Sequence, residues 1–348
     1  MTAPFVHDAP PQRVVFAPGA VERVAKEAAH LGLTRALTIA TPGSGARLGS
    51  RITKLLGERS AGLHAEAVVH VPTAVAAAGL KAAQAAQADG LIAVGGGAAI
   101  GLAKAIALET GLPILAVPTT YSGSEATPIW GTTEGDRKTT GRDQKVVPRT
   151  VIYDPELTLG LPAAVTAASG MNAIAHCVEG VWIPERTPVT VALAHEALTR
   201  FGKYLLRAVA DGGDRQARSE CLIAAWLAGT VLTGGTGLHH KLAHVLGGLG
   251  LPHAETHAII LPHVTRFNLA AQGADEARTR LAQALGTDDP AKKLAEFVQE
   301  FPIPKRLRDV GLDEKRIPDV AAQAAALGIK VPRPVSAEDA AALLRAAF

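Results

Sequence analysis

The sequence predicts an α/β N-terminal dinucleotide-binding domain with a mostly parallel sheet, followed by an all-α C-terminal domain, and three observations carry that reading. Short apolar runs alternate with Ala-rich helical patterns up to about residue 155. A glycine triplet, Gly95–Gly97, stands directly between one such run and one such helix. Beyond Asp154 and Pro155 the strand-like runs stop, and long Ala/Leu-rich segments continue to the C-terminus. Strand–helix alternation is the mark of a parallel sheet, because each parallel crossover consumes about a helix's length of chain.

Taken in order, strands are expected at 13–16, 36–40, 67–71, 90–94, 113–117 and 150–153, with helices near 19–31, 49–57, 74–89 and 98–110. Pro155 and Pro162 bracket Leu157–Leu161, where no helix could run through unbroken, so the chain is read as domains 1–158 and 159–348. In the second domain the breaks fall at Pro162, Asp211–Gly213, Gly234–Gly235, Pro252 and Pro302.

Composition narrows the function classes. At 348 residues with 48% hydrophobic content, the chain can bury two sizeable cores. A net charge of +3 with no Lys/Arg run interleaved with aromatics argues against nucleic acid as a partner. No stretch of about 18 apolar residues suggests a membrane span, and the N-terminus lacks the basic and apolar regions of a signal peptide. Cys177 and Cys221 are too few for a disulfide framework, and a reducing cytoplasm is the expected location.

Chemistry concentrates in two places. The Gly95–Gly97 turn lets backbone approach a pyrophosphate, and the helix after it offers unpaired N–H donors. The next strand ends in a second hydroxyl- and glycine-rich loop containing Thr119, Thr120, Tyr121 and Ser122, at the carboxyl edge where open α/β sheets bind ligands. In the helical half, Asn172 and His176 are four apart, as are His240 and His244, so each pair shares a helix face; His253 follows nine residues later. Six of the twelve histidines fall between 239 and 263, which favours a functional cluster over isolated structural residues. His239, His257 and His263 are read only as neighbours of that cluster.

These motifs, with Asp154–Thr158, Leu161–Pro162 and Gly170–Met171, occur in an order that resembles the iron-containing alcohol dehydrogenase superfamily over almost the whole chain. Within it, the wording of Tyr121–Gly131, Lys138–Arg142, Pro148–Thr158 and Pro252–His257 is similar to the maleylacetate reductase subfamily. The resemblance implies reduction of the C=C bond of maleylacetate, a dicarboxylate, to 3-oxoadipate, and a homodimer. A metal-dependent alcohol dehydrogenase of the same superfamily is the rival.

Metal-holding relatives use one Asp and three His, and these positions match Asn172, His176, His240 and His253. Asn172 removes the anionic ligand, so no metal is expected, although three imidazoles can suffice for zinc elsewhere. Gly101 stands where metal-dependent relatives usually carry Asp. Thr41 ends the strand that meets the adenosine ribose; lacking a carboxylate that would repel a 2′-phosphate, it implies acceptance of both NADH and NADPH. The resemblance makes His176, His240, His244 and His253 the catalytic candidates, with His244 the best general acid. Tyr121, Lys138, Arg142 and Asn172 are candidates for the substrate, and Gly95–Gly97, Thr119, Thr120, Ser122 and Thr41 for the cofactor.

Overall fold

Strand β1 (Arg13–Phe16) opens a six-stranded sheet that β2 (Ala36–Ala40), β3 (Ser60–His64), β4 (Gly90–Gly95), β5 (Ile114–Pro118) and, after a separate hairpin, β8 (Thr150–Tyr153) complete. The structure is a computed structural model that describes residues 5–7, 9, 11–135, 137–329 and 332–348. Strand order is β1-β8-β5-β4-β2-β3, and all pairings in this sheet are parallel. Helices α1 (Val24–His30), α2 (Ser44–Leu56), α3 (Thr73–Ala85) and α4 (Gly97–Thr110) connect the strands.

The period of two explains why the central strands read as unbroken apolar runs. Ile92 and Val94 on β4, with Leu115 and Val117 on β5, enter a core that includes Val24 and Ile52 of α1 and α2. Leu91 and Ala93 point the other way, into a core with Ile100, Leu102 and Ile106 of α4. Each face buries its own set, so no polar position interrupts the strand.

Two local expectations are corrected. Residues 67–71 are not a strand: Val68 and Val69 are exposed, and His70 and Val71 take positive φ values of 64° and 46°, incompatible with extended pairing. The edge beside β2 is taken by Ser60–His64 instead. Helix α2 begins at Ser44, five residues earlier than the apolar spacing suggests. The segment 129–142, which carries no apolar signal, is an antiparallel hairpin of β6 (Ile129–Glu134) and β7 (Arg137–Arg142).

The second compact unit comprises Pro162–Phe348 with Met1–His7, and Asp8–Leu161 form the first. Among the described residues its regular elements are all helical: α5 (Ala163–Gly180), α6 (Pro188–Ala210), α7 (Arg215–Leu232), α8 (Leu238–Gly247), α9 (His253–Leu269), α10 (Asp275–Leu285), α11 (Pro290–Glu300), α12 (Ile317–Ala326) and α13 (Ala337–Ala347). Starts follow capping chemistry. Thr187 and Thr190 form a reciprocal box ahead of α6, and Ser336 and Asp339 do the same ahead of α13. A core of Leu242 and Leu246 (α8), Ile259 and Ile260 (α9), Val320 (α12) and Leu344 (α13) packs α8 against α9, which sets the histidine-bearing faces together. Among the described residues no helix is long and apolar enough to cross a membrane.

Candidate active site

In the α/β unit, the parallel register aligns the ends of β2, β4 and β5. Ala40 lies beside Val94, and Gly95 beside Pro118, so Thr41, Gly96 and Thr119 follow on adjacent strands at one sheet edge. The Thr119 amide donates to Gly95 O at 3.1 Å, tying the two loops together. Gly95 takes φ 138°, a backbone state that favours glycine. A Cβ at Gly96 would lie 2.9 Å from two atoms of Thr120, so only glycine allows that approach. Helix α4 starts with no side-chain cap, which leaves first-turn N–H groups available to an anion, and the buried Ser122 hydroxyl beside them has no partner among the described residues. These features suit a pyrophosphate. Thr41 packs against Gly45 of α2, where a Cβ would fall on the Thr41 hydroxyl.

Sequence reasoning missed what holds this edge. Lys104, buried on α4, donates to Ser124 O (2.6 Å), Thr127 O (2.8 Å), Thr127 Oγ1 (3.0 Å) and Ile129 O (2.8 Å), pinning the loop after β5. Burial pushes its ammonium down to about 7, opposed by the charge of buried Glu125. Burial raises the Glu125 carboxyl in turn; it accepts from Tyr153 Oη at 3.0 Å. The reading of Gly101 also gains a steric reason: a Cβ there would meet Val71 Cγ2 at 2.9 Å, so the strained Val71 occupies that space. Tyr121 is fully buried, whereas Lys138 and Arg142 are exposed on β7, on the same strand face by their even spacing.

In the helical unit, Asn172, His176 and Glu179 lie along one face of α5, while α8 carries His239, His240 and His244, and α9 carries His253 and His257. The rings form a continuous row. His176 stacks on His240 at 4.9 Å between centroids, His240 meets His257 at 4.7 Å, His257 meets His253 at 4.3 Å, and His253 stacks on His244 at 5.8 Å. His239 joins from the side, 4.8 Å from His257 and 5.1 Å from His240. The row runs from buried His176 and His240 through half-buried His253 to exposed His244. Every sequence-predicted histidine is therefore in one cluster. His239 and His257, read from sequence as mere neighbours, are at its centre; the His253/His257 spacing of four was the available signal.

Glu179 organises the cluster. It accepts the amide N–H groups of Gly237 (2.9 Å), His239 (2.7 Å) and His240 (3.4 Å) at the start of α8, and contacts His240 Nδ1 at 2.6 Å. A Cβ at Gly237 would lie 2.7 Å from its Oε1, so glycine is needed for this approach. Burial raises the carboxyl, while the charge of His239 and the three amides pull it down. Burial drives His240 down to about 3 and His239 to about 4, with neighbouring rings adding to the effect. It also holds His176 and His257 well below the usual imidazole value.

Residues 11–155 match the family described as iron-containing alcohol dehydrogenase, and residues 166–348 match the C-terminal part of the Fe-containing alcohol dehydrogenase family. The chain belongs to the iron-containing alcohol dehydrogenase family. It is 44% identical over 342 residues to the maleylacetate reductase of Sphingobium indicum, covering 98% of this chain and 96% of that one. It is 48% identical over 343 residues to maleylacetate reductase 2 of Cupriavidus pinatubonensis, covering 97% and 95%. The crystal structure of maleylacetate reductase from Agrobacterium tumefaciens superposes with a TM-score of 0.94 at 40% identity, covering 100% of this chain and 99% of that one.

The family name implies iron, and the donor set at the family positions does not fit it. Asn172 offers a neutral amide oxygen, buried and without a partner among the described residues, where a carboxylate would supply charge. His176 and His240 stack face to face at 26° instead of converging edge-on. Among the described residues the ring nitrogens that come within 4.8 Å of one another as a group of three belong to His239, His240 and His257, not to His176, His240 and His253.

Proposed function

We propose that this oxidoreductase reduces the C=C bond of maleylacetate to 3-oxoadipate with NADH or NADPH, in the breakdown of aromatic compounds. The observation that carries the reading is similarity to maleylacetate reductases along nearly the whole chain, with Asn172 in place of an anionic metal ligand. Gly95–Gly97, Thr119, Thr120 and Ser122 hold the dinucleotide phosphates, and Thr41 faces the adenosine ribose without charge to exclude a 2′-phosphate.

Hydride leaves the nicotinamide for the alkene carbon β to the ketone. The electron pair of the C=C bond moves to the ketone oxygen, giving an enolate, which takes one proton at the α carbon. Donors to the enolate oxygen and a proton source are needed. His244 and His253 supply them, and His240, its Nδ1 proton held by Glu179, accepts and relays a proton through Nε2 beside His176; His244, at the exposed end of the row, can be reprotonated from water. Two carboxylates need cations or N–H groups, and Lys138 and Arg142, sharing one strand face, with Tyr121 and Asn172, fit that requirement. No step passes through iron. The alcohol-dehydrogenase reading, which needs a metal on carbon–oxygen chemistry, is less well supported by the unconverged family positions.

The protein is further proposed to act as a homodimer in the cytoplasm, where its buried thiols Cys177 and Cys221 would stay reduced. The deciding experiment follows NADH and NADPH oxidation by the purified protein with maleylacetate, before and after chelation. Loss of activity on chelation, restored by iron, refutes the metal-free mechanism; no oxidation at all refutes the substrate.

A further inference from the structure

Five ring nitrogens of buried histidines in the helical unit have no hydrogen-bond partner among the described residues: His176 Nδ1, His239 Nδ1, His240 Nε2 and both nitrogens of His257. An unsatisfied buried polar group costs about 1–3 kcal/mol, and because the rings of His239, His240 and His257 all touch one another, their nitrogens point to a common ligand. The fixed tautomers say of which kind. His239 Nε2 lies 2.9 Å from the His257 carbonyl, which only accepts, so the proton is on Nε2 and Nδ1 carries a lone pair. His240 Nδ1 faces Glu179 Oε2, an oxygen already surrounded by amide donors at the positive end of α8. The proton therefore sits on Nδ1, and Nε2 carries a lone pair. Inward lone pairs repel an anion and attract a Lewis acid.

We propose that His239, His240 and His257 form a zinc(II)-type site, binding through His239 Nδ1, His240 Nε2 and one His257 nitrogen, with water as fourth ligand. One ring nitrogen from each of the three residues already lies within 4.8 Å of the other two. Tetrahedral zinc needs nitrogens about 3.4 Å apart, given Zn–N bonds of about 2.0–2.1 Å, so modest ring rotation closes the set. Glu179 and the His257 carbonyl are the outer partners that fix ring orientation, as metal-bound imidazoles require. Three neutral imidazoles without carboxylate favour zinc over magnesium or calcium. Entry runs along the row, past His253 and exposed His244. The site shares only His240 with the family positions and does not use Asn172, His176 or His253.

Occupancy would take the His240 nitrogen out of proton traffic, so zinc acts as a brake. That consequence rests on the proposed reduction, whereas binding does not. The test strips the full-length protein with chelator, then titrates ZnCl₂ by calorimetry and CoCl₂ by visible absorption. One zinc per chain and the intense visible bands of tetrahedral cobalt are expected. H239A and H257A should each weaken zinc by about 100-fold or more, and E179Q by about 10–100-fold, the usual worth of an outer-shell partner. H176A and H253A should weaken zinc by no more than about tenfold, since each packs against a ligand ring without itself binding. Absence of the tetrahedral cobalt spectrum in the unaltered chain overturns the proposal even if a variant fails to fold. Equal loss in H176A or H253A overturns it in favour of the family positions. One-to-one binding without inhibition of maleylacetate reduction counts against the catalytic reading of His240, not against the site.

Discussion

Replacing Lys104 with Met keeps the length of the side chain and removes its ammonium. Thr127 Oγ1 still bonds Ser124 O at 3.1 Å, so the stranded acceptors are chiefly the carbonyls of Thr127 and Ile129. At about 1–3 kcal/mol for each buried carbonyl, and with Glu125 losing its counter-charge, the lost contacts cost about 3–5 kcal/mol, which at pH 7 is set against relief of the buried ammonium. The pH dependence has a definite sign. Between its folded value of about 7 and its ordinary value of 10.5, Lys104 binds fewer protons folded than unfolded, so its contribution rises with pH and is lost as pH falls through 7. The slope is at most about 1.4 kcal/mol per pH unit. In Lys104→Met that rise disappears. Glu125, already raised by burial and no longer lowered by the lysine, instead makes folding less favourable as pH climbs above the carboxylate range. The gap between parent and variant should therefore widen by about 2–3 kcal/mol from pH 7 to pH 9. Urea unfolding across that range measures it, and NADH fluorescence titration should show weaker binding because the loop carrying Thr119 to Ser122 loses its anchor. A variant within about 1 kcal/mol of the parent at every pH, with unchanged NADH affinity, would refute the reasoning, since even a single stranded carbonyl should cost that much.

Three further outcomes are expected. Alanine at His240, His244 or His253 should lower turnover by about 10²–10⁴-fold with NADH affinity unchanged; variants that stay within about fivefold of the parent would remove the row from catalysis. Gly96→Ala, whose new Cβ meets Thr120 at 2.9 Å, should raise the NADH dissociation constant, read by fluorescence titration. A rise of about tenfold, or 1.4 kcal/mol, is expected, with the melting temperature nearly unmoved. NADH and NADPH should differ in kcat/KM by less than about a thousandfold, some 4 kcal/mol; a larger ratio would mean that a group other than Thr41 reads the 2′ position.

Legibility followed burial. Strands β4 and β5 are sandwiched between two cores and β8 is buried along its whole length, so their apolar runs announce them. Strand β3, an edge strand pairing only with β2, and the Arg137–Arg142 strand, mostly exposed, carry no such pattern and were invisible. The apolar run 67–71 misled for the opposite reason. Its valines are divided between exposure and a strained packing of Val71 against Gly101, neither of which periodicity can express.

The sequence by itself determined the α/β-then-helical order, the glycine turn ahead of α4, and the approximate identity of the histidine cluster. These depend on spacing along one element, where i and i+4 neighbours are fixed by helix geometry. Only the tertiary structure decided that His239 and His257 stand at the centre of the row, that Glu179 fixes His240, and that Lys104 pins the loop after β5. Each joins residues from different elements: α5 to α8 through Glu179, α8 to α9 through His239 and the His257 carbonyl, α4 to the loop after β5 through Lys104. Packing of apolar faces sets those meetings, and a linear pattern shows which face is apolar but not which other face it will meet.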